Sequence, residues 1–285
     1  MNEETINRES LPAALQESYD SLMESIESTE TTTNLSKEIH QEIPVNSETL
    51  LVDDTTSRFS SAIWYENIQK KVIILAGVGG IGSWCALLLA RVKPAAMYIY
   101  DDDVVESANM SGQLYGQSDI GNHKVYALSN IIRNYANYTS AFAIPEKFTE
   151  DSEATDIMIC GFDSMEARKT FFKKWTKHVF SKPEEKRANC LFLDGRLSAE
   201  EFQILCIKGD DDYNIQRYRT EFLFSDSEAD ETICSYKQTT FCANMIASYM
   251  VNLFVNFCAN EVGAYRDLPF FTTYNAELMY LKTES

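Results

Sequence analysis

Lys71-Val72-Ile73-Ile74-Leu75-Ala76-Gly77-Val78-Gly79-Gly80-Ile81-Gly82 is the stretch whose reading decides the fold. A short apolar run rich in β-branched residues, ended by glycine, reads as a strand buried on both faces. The residues from Ile81 to Val92 then carry helical spacing. Glycines between a strand and a helix let backbone N–H groups and the positive helix end approach a phosphate. Asp101 lies 24 residues beyond Gly77 and closes a second apolar run, Ala96–Tyr100, where a carboxylate can meet a ribose hydroxyl. Gly77, Gly79, Gly80, Gly82 and Asp101 alone specify an adenine-nucleotide seat of the kind shared by NAD, FAD, SAM and ATP proteins. A tight structural turn is the plain alternative.

The same alternation continues outward. Asn122–Tyr135 reads as a helix, Ser140–Ile144 and Asp156–Cys160 as strands, Ser164–Val179 as a helix and Cys190–Leu193 as a strand. Strands alternating with helices imply right-handed crossovers and a doubly wound, mostly parallel, Rossmann-like α/β sheet. Beyond it the rhythm predicts a C-terminal antiparallel extension. Its expected parts are strands at Glu201–Ile207 and Tyr218–Phe224 about a hairpin tip at Gly209–Asp212, a long helix from Gln238, and a last strand near Leu278–Lys282. Phe171, Phe172 and Trp175 recur at helical spacing and read as core.

Charge and cysteine usage narrow the class. The chain has 285 residues and a net charge of −18, which disfavours a nucleic-acid backbone as partner. Residues 1–57 hold 13 acids against Arg8 and Lys37, so they read as an acidic, disordered tail before a domain over 58–285. Seven cysteines without a framework, and no secretory leader, point to a cytoplasmic protein with reduced thiols. No Cys-x-x-Cys is present and His40, His123 and His178 are far apart, so spacing supports no structural zinc site. Val72–Ala90 and Gln238–Asn260 are uncharged. Glycines interrupt the first, and a stripe of Asn244, Ser248, Asn252, Asn256 and Asn260 marks the second, so no membrane span is expected.

Three blocks in order then resemble the ThiF/MoeB/HesA family and the related ubiquitin-activating enzymes. The first is the glycine loop. The second is Asp101-Asp102-Asp103-Val104-Val105-Glu106-Ser107-Ala108-Asn109-Met110-Ser111-Gly112-Gln113 followed by Asp119-Ile120-Gly121-Asn122-His123-Lys124. The third is Cys160-Gly161-Phe162-Asp163-Ser164-Met165-Glu166-Ala167-Arg168. Length and the Asn-x-Ser-Gly-Gln variant look most like the short ThiF-like proteins of phages and plasmids. The resemblance implies binding of Mg·ATP and adenylation of the C-terminal carboxylate of a ubiquitin-like protein or peptide by a homodimer. By motif position it assigns Mg²⁺ to Asp163, phosphate neutralisation to Lys124, and ribose to Asp101. Asp103, Asn109, Gln113 and Arg58 are assigned to the nucleotide.

Two arginines of the family pattern are missing, being Gly112 and Ser61 here. Arg196, in Asp194-Gly195-Arg196, is a candidate to reach the same crevice, with a surface turn as the alternative. Thr232-Ile233-Cys234-Ser235-Tyr236-Lys237 resembles the segment that carries the thioester cysteine of ubiquitin-activating enzymes, without its flanking prolines. Cys234 is thus an acyl acceptor on that reading, or an inert residue at a helix entry. The missing arginines keep a second class open, a catalytically degenerate nucleotide-binding or interaction protein. A NAD- or SAM-dependent Rossmann enzyme is the third.

Overall fold

In the computed structural model, which describes residues 54–224 and 238–285, β1 (Val72–Ala76) leads through the glycine turn into helix α2 (Gly80–Arg91). A short helix, α1 (Tyr65–Ile68), precedes them. The chain continues through β2 (Ala96–Tyr100), α3 (Lys124–Ala136), β3 (Ala141–Ile144), β4 (Ile157–Cys160), α4 (Met165–Phe180), α5 (Glu184–Arg187) and β5 (Leu191–Ser198). These five strands pair in parallel in the order β3-β2-β1-β4-β5. Connections leave β1 toward β2 and leave β4 toward β5, so the winding reverses between β1 and β4. In an open sheet, the crevice beyond the carboxyl ends at such a reversal is where ligands bind.

Both faces of the sheet are covered, as continuous apolar strands require. Ile73, Leu75, Ile157, Ile159, Leu191 and Leu193 join one core with Cys85, Leu89, Leu128, Ile246 and Phe254. Alternate residues point the other way. There Phe192 meets Phe171, Phe172 and Trp175 of α4, and Phe172 lies 4.4 Å from the ring of Tyr218. The aromatic run on α4 is therefore core, as its spacing predicts.

The antiparallel extension is real, but its strands are not all those expected. β6 (Glu201–Lys208) pairs along the full length of β5, then with β7 (Phe271–Asn275), which pairs with β8 (Tyr280–Glu284). The expected strand at Tyr218–Phe224 is instead helix α6 (Asp212–Arg217) continued by a π turn, Tyr218–Phe222. The acidic trio is likewise no hairpin tip, because Asp211 caps α6 by accepting from the Asn214 amide at 3.0 Å. Tyr218 alternates plausibly as a strand residue, yet its hydroxyl is needed by buried Asp194 at 2.9 Å, and a helix delivers it there. β7, Phe-Thr-Thr-Tyr-Asn, has no strong apolar run and adds a strand that the sequence pattern does not announce.

Helix α7 (Thr240–Asn260) is long and apolar enough by length and composition to cross a membrane. In this fold Ile246, Met250, Phe254 and Phe257 are buried in the common core, and the polar stripe is used locally. Asn256 and Asn260 donate to the carbonyls of Asp267 and Arg266. The six described cysteines are free and buried.

Candidate nucleotide site

The glycine turn is fastened between its neighbouring strands. Gly77 N–H donates to the Tyr100 carbonyl at 2.9 Å, and Gly161 N–H donates to the Ala76 carbonyl at 2.8 Å. Gly77 has φ +81°, and a methyl group there would lie 2.7–2.8 Å from the Gly161 and Phe162 backbone. Glycine is required for conformation and space alike. The first and third sequence blocks thus meet at the reversal between β1 and β4.

Asp101 faces the turn. Its Oδ2 accepts from Val78 N–H at 2.8 Å and its Oδ1 from Asp103 N–H at 3.0 Å. Burial pushes its carboxyl up, opposed by the Lys124 charge and these two N–H bonds. Lys124 enters from the first turn of α3, buried, with Nζ 2.7 Å from Asp103 Oδ2. The second block therefore brings a cation, held by an exposed carboxylate, beside the acid that anchors the glycine turn. Tyr115, not singled out by sequence, donates to the Val78 carbonyl at 2.7 Å and fixes the turn from beneath.

The remaining assigned residues are distributed as follows. Gln113 points at the turn, its Nε2 lying 3.8 Å from a Cβ placed on Gly79, while its buried Oε1 has no partner. Asn109 Oδ1 accepts from Glu106 N–H at 2.8 Å and closes the 3₁₀ turn Ser107–Ser111. Asp163 is exposed between β4 and α4, whose N-cap is Ser164. Arg58 is exposed in the turns after Asp54–Thr56. Cys234 and Lys237 lie outside the described residues.

Arg196 is not a free cation in the crevice. Its Nε lies 2.8 Å from Asp194 Oδ2, and its Nη2 donates to the Phe222 carbonyl at 2.8 Å. Asp194, fully buried on β5, also pairs with Arg168, which in turn donates to the carbonyls of Phe162 and Gly195. Arg168 so ties the loop bearing Asp163 to β5. Asp194 was missed as a structural centre because a strand acid beside glycine has no sequence pattern that marks burial.

A second polar cluster lies at the opposite, amino end of the sheet. Asp156, His178 and Cys190 place one ligand-type atom each within 4.8 Å of one another, the one such group of three or more His, Cys, Asp or Glu among the described residues. His178 Nε2 and Lys182 Nζ lie 2.7 and 2.6 Å from Asp156 Oδ1. Burial pushes the Asp156 carboxyl up, but these two bonds and charges outweigh it and hold it at about 2. A depressed carboxyl contributes stability present above its unfolded pKa and lost as pH falls through the folded value. Between about pH 4 and pH 2, wild type is expected to lose more stability than Asp156→Asn, as read by urea titrations at each pH. Equal losses would mean the cluster adds nothing.

These features define the class first: a doubly wound α/β protein with a glycine turn, an anchoring acid and a buried lysine gathered at the sheet's reversal. Residues 53–277 match the ThiF family, and the chain belongs to that family. Among curated relatives it is similar to ubiquitin-like modifier-activating enzyme 5 of Culex quinquefasciatus, 32% identical over 122 residues. That match covers 36% of this chain and 30% of the enzyme. An uncharacterized protein, y4qC, of Sinorhizobium fredii is 35% identical over 81 residues, which are 28% of this chain and 14% of that protein. The chain thus spans less than a third of these relatives' length. Among solved structures the fold resembles PaaA, with a TM-score of 0.62 at 14% identity over 97% of this chain and 90% of that one. It also resembles Escherichia coli MccB with ATP, with a TM-score of 0.56 at 14% identity over 85% and 75%.

Proposed function

We propose that this protein binds Mg·ATP at the β1–β4 reversal and adenylates the C-terminal carboxylate of a peptide or ubiquitin-like protein. The observation that carries the reading is the convergence of three separated sequence blocks on one crevice, with Asp101 on the glycine turn and Lys124 buried beside it. Membership of the ThiF family supports it, as do solved structures of similar fold that contain ATP, or AMPCPP with the peptide MccA.

The residues fit the ligand. The buried, unpaired Oε1 of Gln113 is a polar atom awaiting a partner, and the turn is open at Gly79, where an added Cβ would meet nothing nearer than Gln113 Nε2 at 3.8 Å. In the reaction, a carboxylate oxygen bonds to the α-phosphorus. The bond from that phosphorus to the β-bridging oxygen breaks, and its electron pair leaves on pyrophosphate. Asp101 orients the ribose and Lys124 offsets phosphate charge; Asp163 would hold Mg²⁺, which would supply further charge neutralisation. Positioning and charge do most of the work in such substitutions. Acyl transfer to Cys234, homodimer formation and a cytoplasmic setting complete the proposal.

The test is exchange of labelled pyrophosphate into ATP, run with a panel of peptides ending in a free carboxylate. Lys124→Ala is expected to lower exchange by about 10²–10³, the usual effect of removing one electrostatic stabiliser. Exchange that persists in Lys124→Ala contradicts this site. Gly112, together with an Arg196 already engaged by Asp194, favours one other reading: nucleotide binding without adenylation. Saturable Mg·ATP binding without exchange on any peptide of the panel would establish it.

A further inference from the structure

The space in front of α2 is filled by the chain itself. Gln238, two residues before α7, lays its side chain across the first turn of α2 and against Gly112. A Cβ on Gly80 would collide with the Gln238 Oε1, and one on Gly112 would lie 2.9 Å from its Nε2 and 3.0 Å from its Cδ and Cγ. Gly80 is the first residue of α2, where backbone N–H groups have no helical partner and the dipole is positive. The carboxamide thus takes up space through which a phosphate oxygen would approach those N–H groups. Gly112 makes the arrangement possible, because only a residue without a side chain leaves the amide this room. The neighbourhood is fixed on both sides. Ala199 bridges to Gln238, Thr240 donates to the Ser111 carbonyl, and Trp84 Nε1 donates to the Gly112 carbonyl at 3.1 Å.

We propose that Gln238 is a built-in occupant of the phosphate seat at the N-terminus of α2, admitted by Gly112, and that a nucleoside triphosphate binds by displacing it. The proposal rests on the nucleotide reading of the site and adds a determinant of affinity to it. Gln238 acts by competition alone. It spares the nucleoside end, which is anchored at Asp101, and opposes the phosphate end. A neutral, displaceable amide thus stands beside Gly112, where the family pattern has a fixed cation.

The experiment is calorimetric or fluorescence titration of the full chain with Mg·ATP and, separately, with adenosine. Wild type, Gln238→Ala, Gln238→Glu, Gly112→Ala and the double variant Gly112→Ala/Gln238→Ala are compared. Gln238→Ala is expected to bind Mg·ATP about fivefold more tightly, as for a seat left free in about one molecule in five, with adenosine unchanged. Gly112→Ala makes the amide shift away from the added methyl and is expected to act in the same direction, with no further gain in the double variant. Gln238→Glu places a carboxylate in the seat and is expected to weaken Mg·ATP at least tenfold while sparing adenosine. Unchanged or weaker Mg·ATP binding in Gln238→Ala overturns the proposal, the weaker case making Gln238 a phosphate ligand. A fivefold gain for adenosine as well overturns it too, since the effect would not be at the phosphates. If no variant binds either ligand, the nucleotide reading itself fails and carries this one with it. Binding of adenosine by all variants with no difference in Mg·ATP refutes the competition while leaving the nucleotide site standing.

Discussion

Asp194→Ala is expected to lower the unfolding free energy by about 3–5 kcal/mol, the usual cost of leaving buried charge without its partner. One carboxylate, wholly shielded from solvent, serves Arg168, Arg196 and the hydroxyl of Tyr218. Arg168 is itself nearly sealed, 6% exposed, and cannot turn to water when Asp194 is lost. Burial opposes the Arg168 charge, and the facing Asp194 overcomes this, so the guanidinium is held firmly in its charged form. Urea titration reads the loss as a lower midpoint with little change in slope. Asp194→Leu combined with Arg168→Met should recover only part of the loss, because it removes the more deeply buried cation while Arg196 and the Tyr218 hydroxyl stay without their carboxylate. A loss below about 1 kcal/mol for Asp194→Ala, the range of surface pairs, would contradict the description of this network as buried and coupled.

Gly77→Ala is the second large effect expected. Positive φ costs a residue with a side chain about 1–3 kcal/mol. The added methyl also meets only backbone, at Gly161 and Phe162, and backbone cannot swing aside. The two loops that form the crevice must therefore separate. Stability is expected to fall by about 3 kcal/mol or more, in the tail reserved for strain and overpacking, and Mg·ATP affinity by more than tenfold. Gly263→Ala is the matched control, with φ +85° and nothing within 4 Å of the added carbon. It should show only the conformational cost and leave the nucleotide untouched. Equal effects from the two substitutions would mean that the closeness of Gly77 to Gly161 has no consequence for the site.

Much of this architecture is legible in the chain because it rests on local rules. The run Val72–Ala76, the glycines and the helical spacing after them dictate strand, turn and helix within a few residues of one another. The same holds for β2, β4 and α4, whose apolar runs are strong and whose ends carry acids or caps. The order of the three sequence blocks likewise identified the family, since each block lies at a carboxyl strand end in a parallel sheet.

Tertiary structure decided what depends on partners distant in sequence. Residues 218–224 alternate well enough for a strand, but Asp211 caps a helix that runs on into Tyr218, which is needed inside, on Asp194. β7 forms because β6 offers an open edge, which no property of Phe271–Asn275 announces. Arg196 could not be assigned from a strand-end position, for the nearest carboxylate claims it before any ligand does. Gly112 reads in the sequence only as a missing arginine. In the fold it is the space into which Gln238, 126 residues later, places its amide. Spacing along a chain fixes local geometry, whereas burial, charge pairing and the occupancy of a seat are settled only by what the folded chain brings alongside.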